Sequence, residues 1–141
     1  APQLVLIDLH WYEHCYGAID VARLCKRVWP RTPVALGGLT AGGFAQEILE
    51  THHQVDVIIR GDAEEPLRLL AQVLCQEGRT LSEVNLEDIP NLSFRREWDV
   101  IHNPLSYRAT AADLARLDFV DMGFLSVSPG PGATPPGESP R

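Results

Sequence analysis

Apolar and amphipathic segments alternate along the first half of the chain. Three short, continuous runs rich in branched residues predict strands that are covered on both faces, at residues 4–7, 33–36 and 55–59. Each run is followed by apolar residues at three- and four-residue spacing, which predicts helices over residues 17–29, about 43–51 and, after Asp62, up to Gly78. This alternation predicts an α/β fold in which helices cover a parallel sheet.

The second half of the chain shows a different pattern. Residues 89–94 and 100–101 resemble two short strands and predict a small hairpin around residues 95–99. A weak apolar periodicity predicts a helix over residues 111–117. Residues 126–141 are mostly Pro, Gly and Ser, which cannot bury enough apolar surface to offset chain entropy, so a disordered tail is predicted there.

The composition restricts the classes of function. A chain of 141 residues, of which 45% are hydrophobic, suits one domain with an apolar core. The formal net charge of −7 and the scattered basic residues argue against nucleic-acid binding, which needs clustered Lys and Arg. No apolar run approaches the roughly 20 residues of a membrane span, and Ala1 leads directly into a strand-like segment rather than a signal peptide.

The cysteines favour a reducing environment. Cys15, Cys25 and Cys75 are odd in number, and their wide spacing matches neither a disulfide framework nor a zinc ribbon. Cys25 and Cys75 fall within helical apolar patterns, so we expect buried free thiols. A cytoplasmic location fits this expectation best.

Three segments follow the predicted strands and are expected to meet at one edge of the sheet. Ligands of open parallel sheets bind beyond the carboxyl ends of the strands, so residues 8–17, 37–43 and 60–65 are the predicted binding loops. These loops hold the aromatic and histidine side chains that follow the first strand, four glycines after the second, and the acidic residues after the third. Phe44 replaces the Lys that a phosphate loop requires, and G-x-G-x-x-G is absent, so the glycines serve either a turn or a bulky ligand that lies against the backbone.

Part of the sequence resembles the corrinoid-binding domains, which carry D-x-H-x-x-G after the first strand, S-x-L at the third and G-G after the fourth. Here Asp8-Leu9-His10 stands in the place of S-x-L, and residues 11–36 separate it from Gly37-Gly38, a spacing that agrees with the family's. Residues 8–11, 17–18, 37–41 and 55–61 look like the cobalamin-binding domains fused to radical SAM enzymes. Residues 89–95 and 102–104 look like the connector to the catalytic barrel of those enzymes, so the resemblance covers about residues 3–122.

The resemblance implies a three-layer, flavodoxin- or Rossmann-like domain that lacks about two N-terminal βα units of the usual five-stranded form. Residues 1–79 would form a partial cobalamin-binding domain, residues 80–125 a connector toward a radical SAM barrel in cis, and residues 126–141 the tail. The corrinoid of this family carries a methyl group or tunes a radical reaction. The C-x-x-x-C-x-x-C motif that would hold a [4Fe–4S] cluster for S-adenosylmethionine does not occur in the sequence, so we expect another region to supply that chemistry.

The residues that the resemblance places beside cobalamin lie in the three loops. His10 and Trp11 would lie close to the corrin face, Gly37, Gly38 and Thr40 against its side chains or nucleotide tail, and Gly61 in the adjoining wall. The full predicted set is His10, Trp11, His14, Gly17, Gly37, Gly38, Leu39, Thr40, Ala41, Gly61, Asp62 and Glu64. A cobalt-ligating histidine is not assigned, because Glu13 stands where D-x-H-x-x-G would need its glycine.

Two other functions compete with this interpretation. Residues 10–14 spell H-x-x-E-H, an inverted zinc-protease motif that would put His10 and His14 on one face of a helix with Glu13 beside them. The strand just before the motif and Gly17 after it suggest that the helix begins too late for this arrangement. A receiver-like interaction module could use Asp8 as its phosphoacceptor, but the companion acidic pair and the later Lys of receivers are missing.

Overall fold

A computed structural model describes residues 1–75 and 80–116. The helix end predicted at Gly78, the connector residues 117–125 and the predicted tail at residues 126–141 lie outside the described residues.

Five strands and five helices make up the described part of the chain. The strands are β1 (Val5–Asp8), β2 (Val34–Gly37), β3 (Val57–Ile59), β4 (Leu92–Arg96) and β5 (Asp99–His102). The helices are α1 (Cys15–Val28), α2 (Leu39–Gly43), α3 (Ala45–Thr51), α4 (Glu64–Cys75) and α5 (Ala111–Leu114), with 3₁₀ turns at Tyr12–His14 and Leu81–Glu83.

The strands form one sheet in the order β1-β2-β3-β4-β5. The first three strands are parallel, with Val5 opposite Val34 and Leu36 opposite Ile58. The hairpin β4–β5 adds two antiparallel strands to β3, and Leu92 pairs with Ile59. The prediction of an α/β fold is confirmed, but the expectation of a three-stranded, wholly parallel sheet is wrong, because the predicted hairpin pairs with β3 and makes the sheet mixed.

Helices lie on both faces of the sheet, as the doubly buried strands β2 and β3 require. On one face, α1, α2 and α3 form a core with Leu9, Leu36, Leu49 and Ile58. On the other face, α4 and the segment before β4 pack Leu70 and Leu86 against the remaining sheet side chains. The three layers bring the carboxyl ends of β1, β2 and β3 to one edge.

Several local predictions need correction. The glycine-rich segment 37–43 is not wholly a loop, because α2 begins at Leu39. The first helix begins at Cys15, two residues before the predicted start, and continues the 3₁₀ turn. Pro66 is buried within the first turn of α4. Proline is tolerated there because the backbone N–H groups of the first turn have no acceptor within the helix. Cys75 is exposed and Cys25 is half-buried, so the expectation of buried thiols is wrong for both.

The chain divides into two compact units, Ala1–Ala109 and Thr110–Arg141. The first unit continues past residue 79, because β4 and β5 belong to the same sheet as β3. In the second unit, Thr110 and Asp113 form a reciprocal capping box around α5, and the hydrogen bond from the Thr110 backbone N–H lowers the pKa of Asp113. Among the described helices, none combines the length and the apolar character needed to cross a bilayer.

Asp56 precedes β3 and forms a half-buried polar contact between α1 and the sheet. Its Oδ2 accepts a hydrogen bond from the Val34 backbone N–H at 2.7 Å and lies 2.6 Å from Lys26 Nζ. Lys26 Nζ also donates to the Thr32 carbonyl at 2.9 Å. Asp56 can therefore lie within an apolar run because its carboxylate is paired, and these contacts connect α1 to β2.

We expect Asp56→Ala to lower the free energy of unfolding by about 2–3 kcal/mol, because it leaves the Val34 N–H and the Lys26 ammonium without their acceptor. Lys26→Met retains the aliphatic stem and should cost less. Glu87→Ala removes a pair with Arg96 that is half exposed on both sides, and it should change stability by less than about 0.5 kcal/mol. Urea unfolding of the three variants measures the difference, and equal effects of Asp56→Ala and Glu87→Ala would contradict the assignment.

Candidate functional site

Loops from the ends of β1, β2 and β3 meet at one edge of the sheet, which we call the rim (residues 8–14, 37–43 and 60–64). The Ala41 N–H donates to the Leu9 carbonyl at 3.2 Å, and the Thr40 hydroxyl donates to the His10 carbonyl at 2.9 Å. A Cβ on Gly42 would lie 3.6 Å from Arg60 Cα, so the second loop also lies against the third. The structure therefore brings His10, Gly38 and Gly61 to the same edge.

The glycines of the rim fall into two groups. Gly38 has φ +103°, and a Cβ there would lie 2.7 Å from both the carbonyl carbon and the oxygen of Leu9. Gly61 has φ +68°, a conformation that side chains rarely adopt. In contrast, a Cβ on Gly37 or Gly43 would meet no atom within 4 Å among the described residues. The fold itself requires glycine at position 38 and favours it at position 61, whereas packing gives no reason for glycine at position 37.

Large apolar side chains are exposed on the rim. Trp11 is 60% exposed and Leu39 is 68% exposed, and they follow β1 and β2 respectively. The rings of His10 and Trp11 meet edge to face, with centroids 4.9 Å apart, and Tyr12 lies beside Phe44. Exposed apolar groups gathered in this way are typical of a binding surface rather than of scattered surface residues.

Asn91 holds the third loop in place. Its Nδ2 donates to the Asp62 carbonyl at 3.2 Å and to the Tyr107 carbonyl at 3.0 Å, and its Oδ1 accepts from the Tyr107 N–H. The residue is 1% exposed and has φ +63°. Sequence reasoning missed Asn91 because it placed this residue inside the strand predicted at residues 89–94. The Pro90-Asn91 pair is nevertheless a turn signal, and Asn tolerates the left-handed conformation.

Two charged residues of the third loop, Arg60 and Glu64, are partly buried. The Arg60 guanidinium donates to the carbonyls of Leu92 and Asn103, and burial lowers its pKa. Within residues 1–75 and 80–116, the buried Arg60 Nε and the buried Glu64 Oε2 have no hydrogen-bond partner. The carboxylate of Asp62 accepts from the Ala109 N–H at 2.8 Å, so it shapes the segment that follows β5.

The predicted binding residues do not all lie on the rim surface. His10, Trp11, Gly37, Leu39, Gly61 and Asp62 lie at or near it. Ala41 is fully buried in the core, so its side chain does not reach the surface of the rim. The Thr40 hydroxyl is occupied by the His10 carbonyl, and Gly17 lies on an exposed flank of α1.

The cavities at the rim are shallow. One of about 200 Å³ lies between the 3₁₀ turn and α3 and includes Tyr12, Thr40 and Phe44. Another of about 250 Å³ is bounded by Asp62, Asn91 and Tyr107. A larger cavity of about 610 Å³ lies at the opposite edge of the sheet, near Asp56 and Arg95. The rim is thus an open platform rather than a deep pocket.

The H-x-x-E-H segment lacks the geometry of a zinc helix. Trp11 is extended, with φ −107° and ψ 136°, and the helical turn begins only at Tyr12. His10 therefore lies outside the turn that contains His14. The part of the chain that the structure describes contains no group of three or more His, Cys, Asp or Glu side chains able to hold a metal ion.

Comparison with known proteins adds no identification. The chain matches no protein-family model and no curated protein, so its assignment depends on the rim and on the motifs that surround it.

Proposed function

We propose that the chain is a cobalamin-binding module of a radical SAM enzyme. The observation that carries the proposal is that a side chain at Gly37 would meet open space, on a rim that is built from three strand ends and also carries the exposed Trp11 and Leu39. A flat, bulky macrocycle needs a broad surface without protruding side chains, together with apolar groups at its border. The rim offers both.

The polar atoms of the rim suit the same ligand class. A corrin ring carries amide side chains, which both donate and accept hydrogen bonds. Asp62 and the exposed backbone of the glycine-rich segment can engage such groups without a matching charge on the ligand. In this proposal the protein would use a flavodoxin- or Rossmann-like arrangement of its parallel strands, and the corrinoid would carry a methyl group or tune a radical reaction.

The rest of the enzyme would lie outside this chain. None of the three cysteines belongs to a C-x-x-x-C-x-x-C motif, so the [4Fe–4S] cluster and S-adenosylmethionine would be held by a barrel in cis. The free thiols of the described residues suit a reducing compartment such as the cytoplasm.

Titration with aquacobalamin tests the proposal. We expect a shift of the corrin absorbance bands and quenching of tryptophan fluorescence, because the cofactor would lie against Trp11. Trp11→Ser should abolish most of the quenching, whereas Trp98→Ser should retain it, since Trp98 is 97% exposed at the β4–β5 turn, away from the rim.

Gly37→Val provides the sharper variant. A Cβ at this position meets no atom of the described residues within 4 Å, so we expect stability to change by less than about 1 kcal/mol. Affinity for aquacobalamin should fall by about tenfold or more, because the added methyl groups occupy the platform. Gly43→Ala, with similarly open surroundings at the end of α2, is the matched control and should bind normally. Absence of binding by the wild-type chain, or equal binding by Gly37→Val, would contradict the proposal.

A further inference from the structure

A cleft between the start of α1 and one face of α3 combines aromatic, apolar and acidic side chains. Its cavity of about 200 Å³ is bounded, among the described residues, by Tyr12, Cys15, Thr40, Phe44, Glu47, Ile48, Thr51 and His52. A cavity of roughly 150 Å³ is large enough for benzene, so a small organic group fits this cleft. The 3₁₀ turn, α1, α2 and α3 form its walls, and the outer edge of β1 takes no part in it.

Helical spacing explains the wall that α3 contributes. Phe44 is the N-cap of α3, and the residues three, four and seven positions later also line the cleft, namely Glu47, Ile48 and Thr51. Ile48 is 5% exposed and belongs to the core, so it closes the inner end of the cleft. Phe44 and Glu47 are exposed on the same face, so they border the opening.

Two aromatic rings meet at this opening. The ring centroids of Tyr12 and Phe44 are 6.1 Å apart and the ring planes are inclined by 48°, so the pair forms an open angle rather than a parallel stack. A cation is attracted to an aromatic face when it lies within about 6 Å of the ring centroid. One cation can therefore interact with both rings at once.

Glu47 gives the cleft a negative charge. Within residues 1–75 and 80–116, this carboxylate belongs to no ion pair, whereas Glu50 on the same helix accepts a hydrogen bond from the side chain of Gln46. The described lining of the cleft contains neither Lys nor Arg. A carboxylate without a partner beside two rings favours a cation over an anion or a neutral group.

We propose that the cleft binds a small alkylated ammonium ion. The charged head group would lie against Tyr12 and Phe44 with Glu47 as its counter-ion, and its alkyl groups would contact the apolar inner end at Ile48. Aromatic rings are the usual partners of quaternary ammonium groups. A metal ion fits less well, because the described residues contain no group of three or more His, Cys, Asp or Glu side chains able to hold one. Gly37 is not part of the lining, so this site is additional to the platform proposed for cobalamin.

Amide NMR titration of the chain with choline tests the site. We expect choline to shift the amide signals of Phe44 and Glu47 in a saturable manner. The neutral analogue 3,3-dimethyl-1-butanol has the same shape, with carbon in place of the charged nitrogen. It should bind about tenfold more weakly or worse, because it keeps the apolar contacts and loses the attraction to the rings and the carboxylate.

Three variants of the α3 region locate the site. Glu47→Gln and Phe44→Leu should each raise the dissociation constant for choline by about fivefold or more, since each removes one of the two sources of attraction. Glu50→Gln is the matched control, because it removes the same charge from the same helix at a position outside the lining, and it should bind choline normally. The amide spectrum of each variant verifies that it remains folded.

Three results would overturn the proposal: no amide shift of the wild-type chain with choline, equal affinity for choline and its neutral analogue, or equal losses in Glu47→Gln and Glu50→Gln. Aquacobalamin is absent from these titrations, so their outcome does not depend on cobalamin binding.

Discussion

Gly38→Ala is expected to lower the free energy of unfolding by about 3 kcal/mol. The added Cβ would lie 2.7 Å from the carbonyl carbon and oxygen of Leu9 and 2.8 Å from Asp8 Oδ1. The first two contacts are backbone atoms, which cannot rotate away as a flexible side chain would. In addition, φ +103° is a conformation that alanine adopts only with strain. Either the first and second loops must separate or the backbone must change, and both weaken the rim.

Two other glycines of the same segment give the control. Gly37→Ala and Gly43→Ala place their Cβ in open space, and neither residue has a positive φ. Gly43 lies in α2, so alanine there should be neutral or stabilise the protein by about 0.5 kcal/mol. Thermal and urea unfolding of the three alanine variants compare them directly. Equal stability of Gly38→Ala and Gly43→Ala would contradict the close approach of the first and second loops.

Asn91→Ala is expected to destabilise the protein by about 3 kcal/mol, through two separate losses. It removes the acceptor of the Tyr107 N–H and the donor to the carbonyls of Asp62 and Tyr107 at a site that is 1% exposed. It also leaves a residue other than Asn or Gly at φ +63°. Asn91→Gly relieves the backbone strain but not the lost hydrogen bonds, so it should recover about 1 kcal/mol.

Asn91→Asp keeps the shape of the side chain but removes its two hydrogen-bond donors, so it separates the contribution of hydrogen bonding to stability from that of packing. The carboxylate keeps an acceptor for the Tyr107 N–H but faces two carbonyl oxygens where the amide donated, so at neutral pH it should be at least as damaging as alanine. Hydrogen exchange of the Tyr107 amide, which donates to Asn91 Oδ1, reports the local effect, because this amide should exchange faster before global unfolding in the variants that lose the acceptor. Equal stability of the glycine and alanine variants would show that the positive φ contributes nothing.

Hydrophobic patterning predicted the sheet and helices because burial decides them. The runs at residues 33–36 and 55–59 overlap the doubly buried strands β2 and β3, and the periodic apolar positions of α1 and α4 face the two cores. The sequence could also predict the hairpin but not its place in the sheet. Pairing of β4 with β3 depends on long-range packing of Leu92 and Phe94, which a local pattern does not contain.

The sequence predicted which loops form the rim but not which residues hold these loops in place. The strand–helix order fixes which loops share an edge, so the meeting of residues 8–14, 37–43 and 60–64 follows from topology. The sequence does not show which glycine a fold requires, because Gly37 and Gly38 differ only in backbone angle and in what lies within 4 Å. Likewise, Ala41 carries no local sign that it is buried, and Asn91 acts on a loop almost 30 residues earlier in the chain.

The antiparallel hairpin also decides where the chain leaves the sheet. Strand β4 starts beside the end of β3, with Leu92 opposite Ile59, and β5 returns so that His102 lies opposite Ser93. Because β4 runs away from the rim and β5 runs back toward it, the chain leaves β5 at the rim. Residues 103–109 therefore lie next to Gly61 and Asp62. With one or three strands after β3, the chain would leave the sheet at the end opposite the rim. The even number of antiparallel strands after β3 therefore keeps the following segment beside the platform.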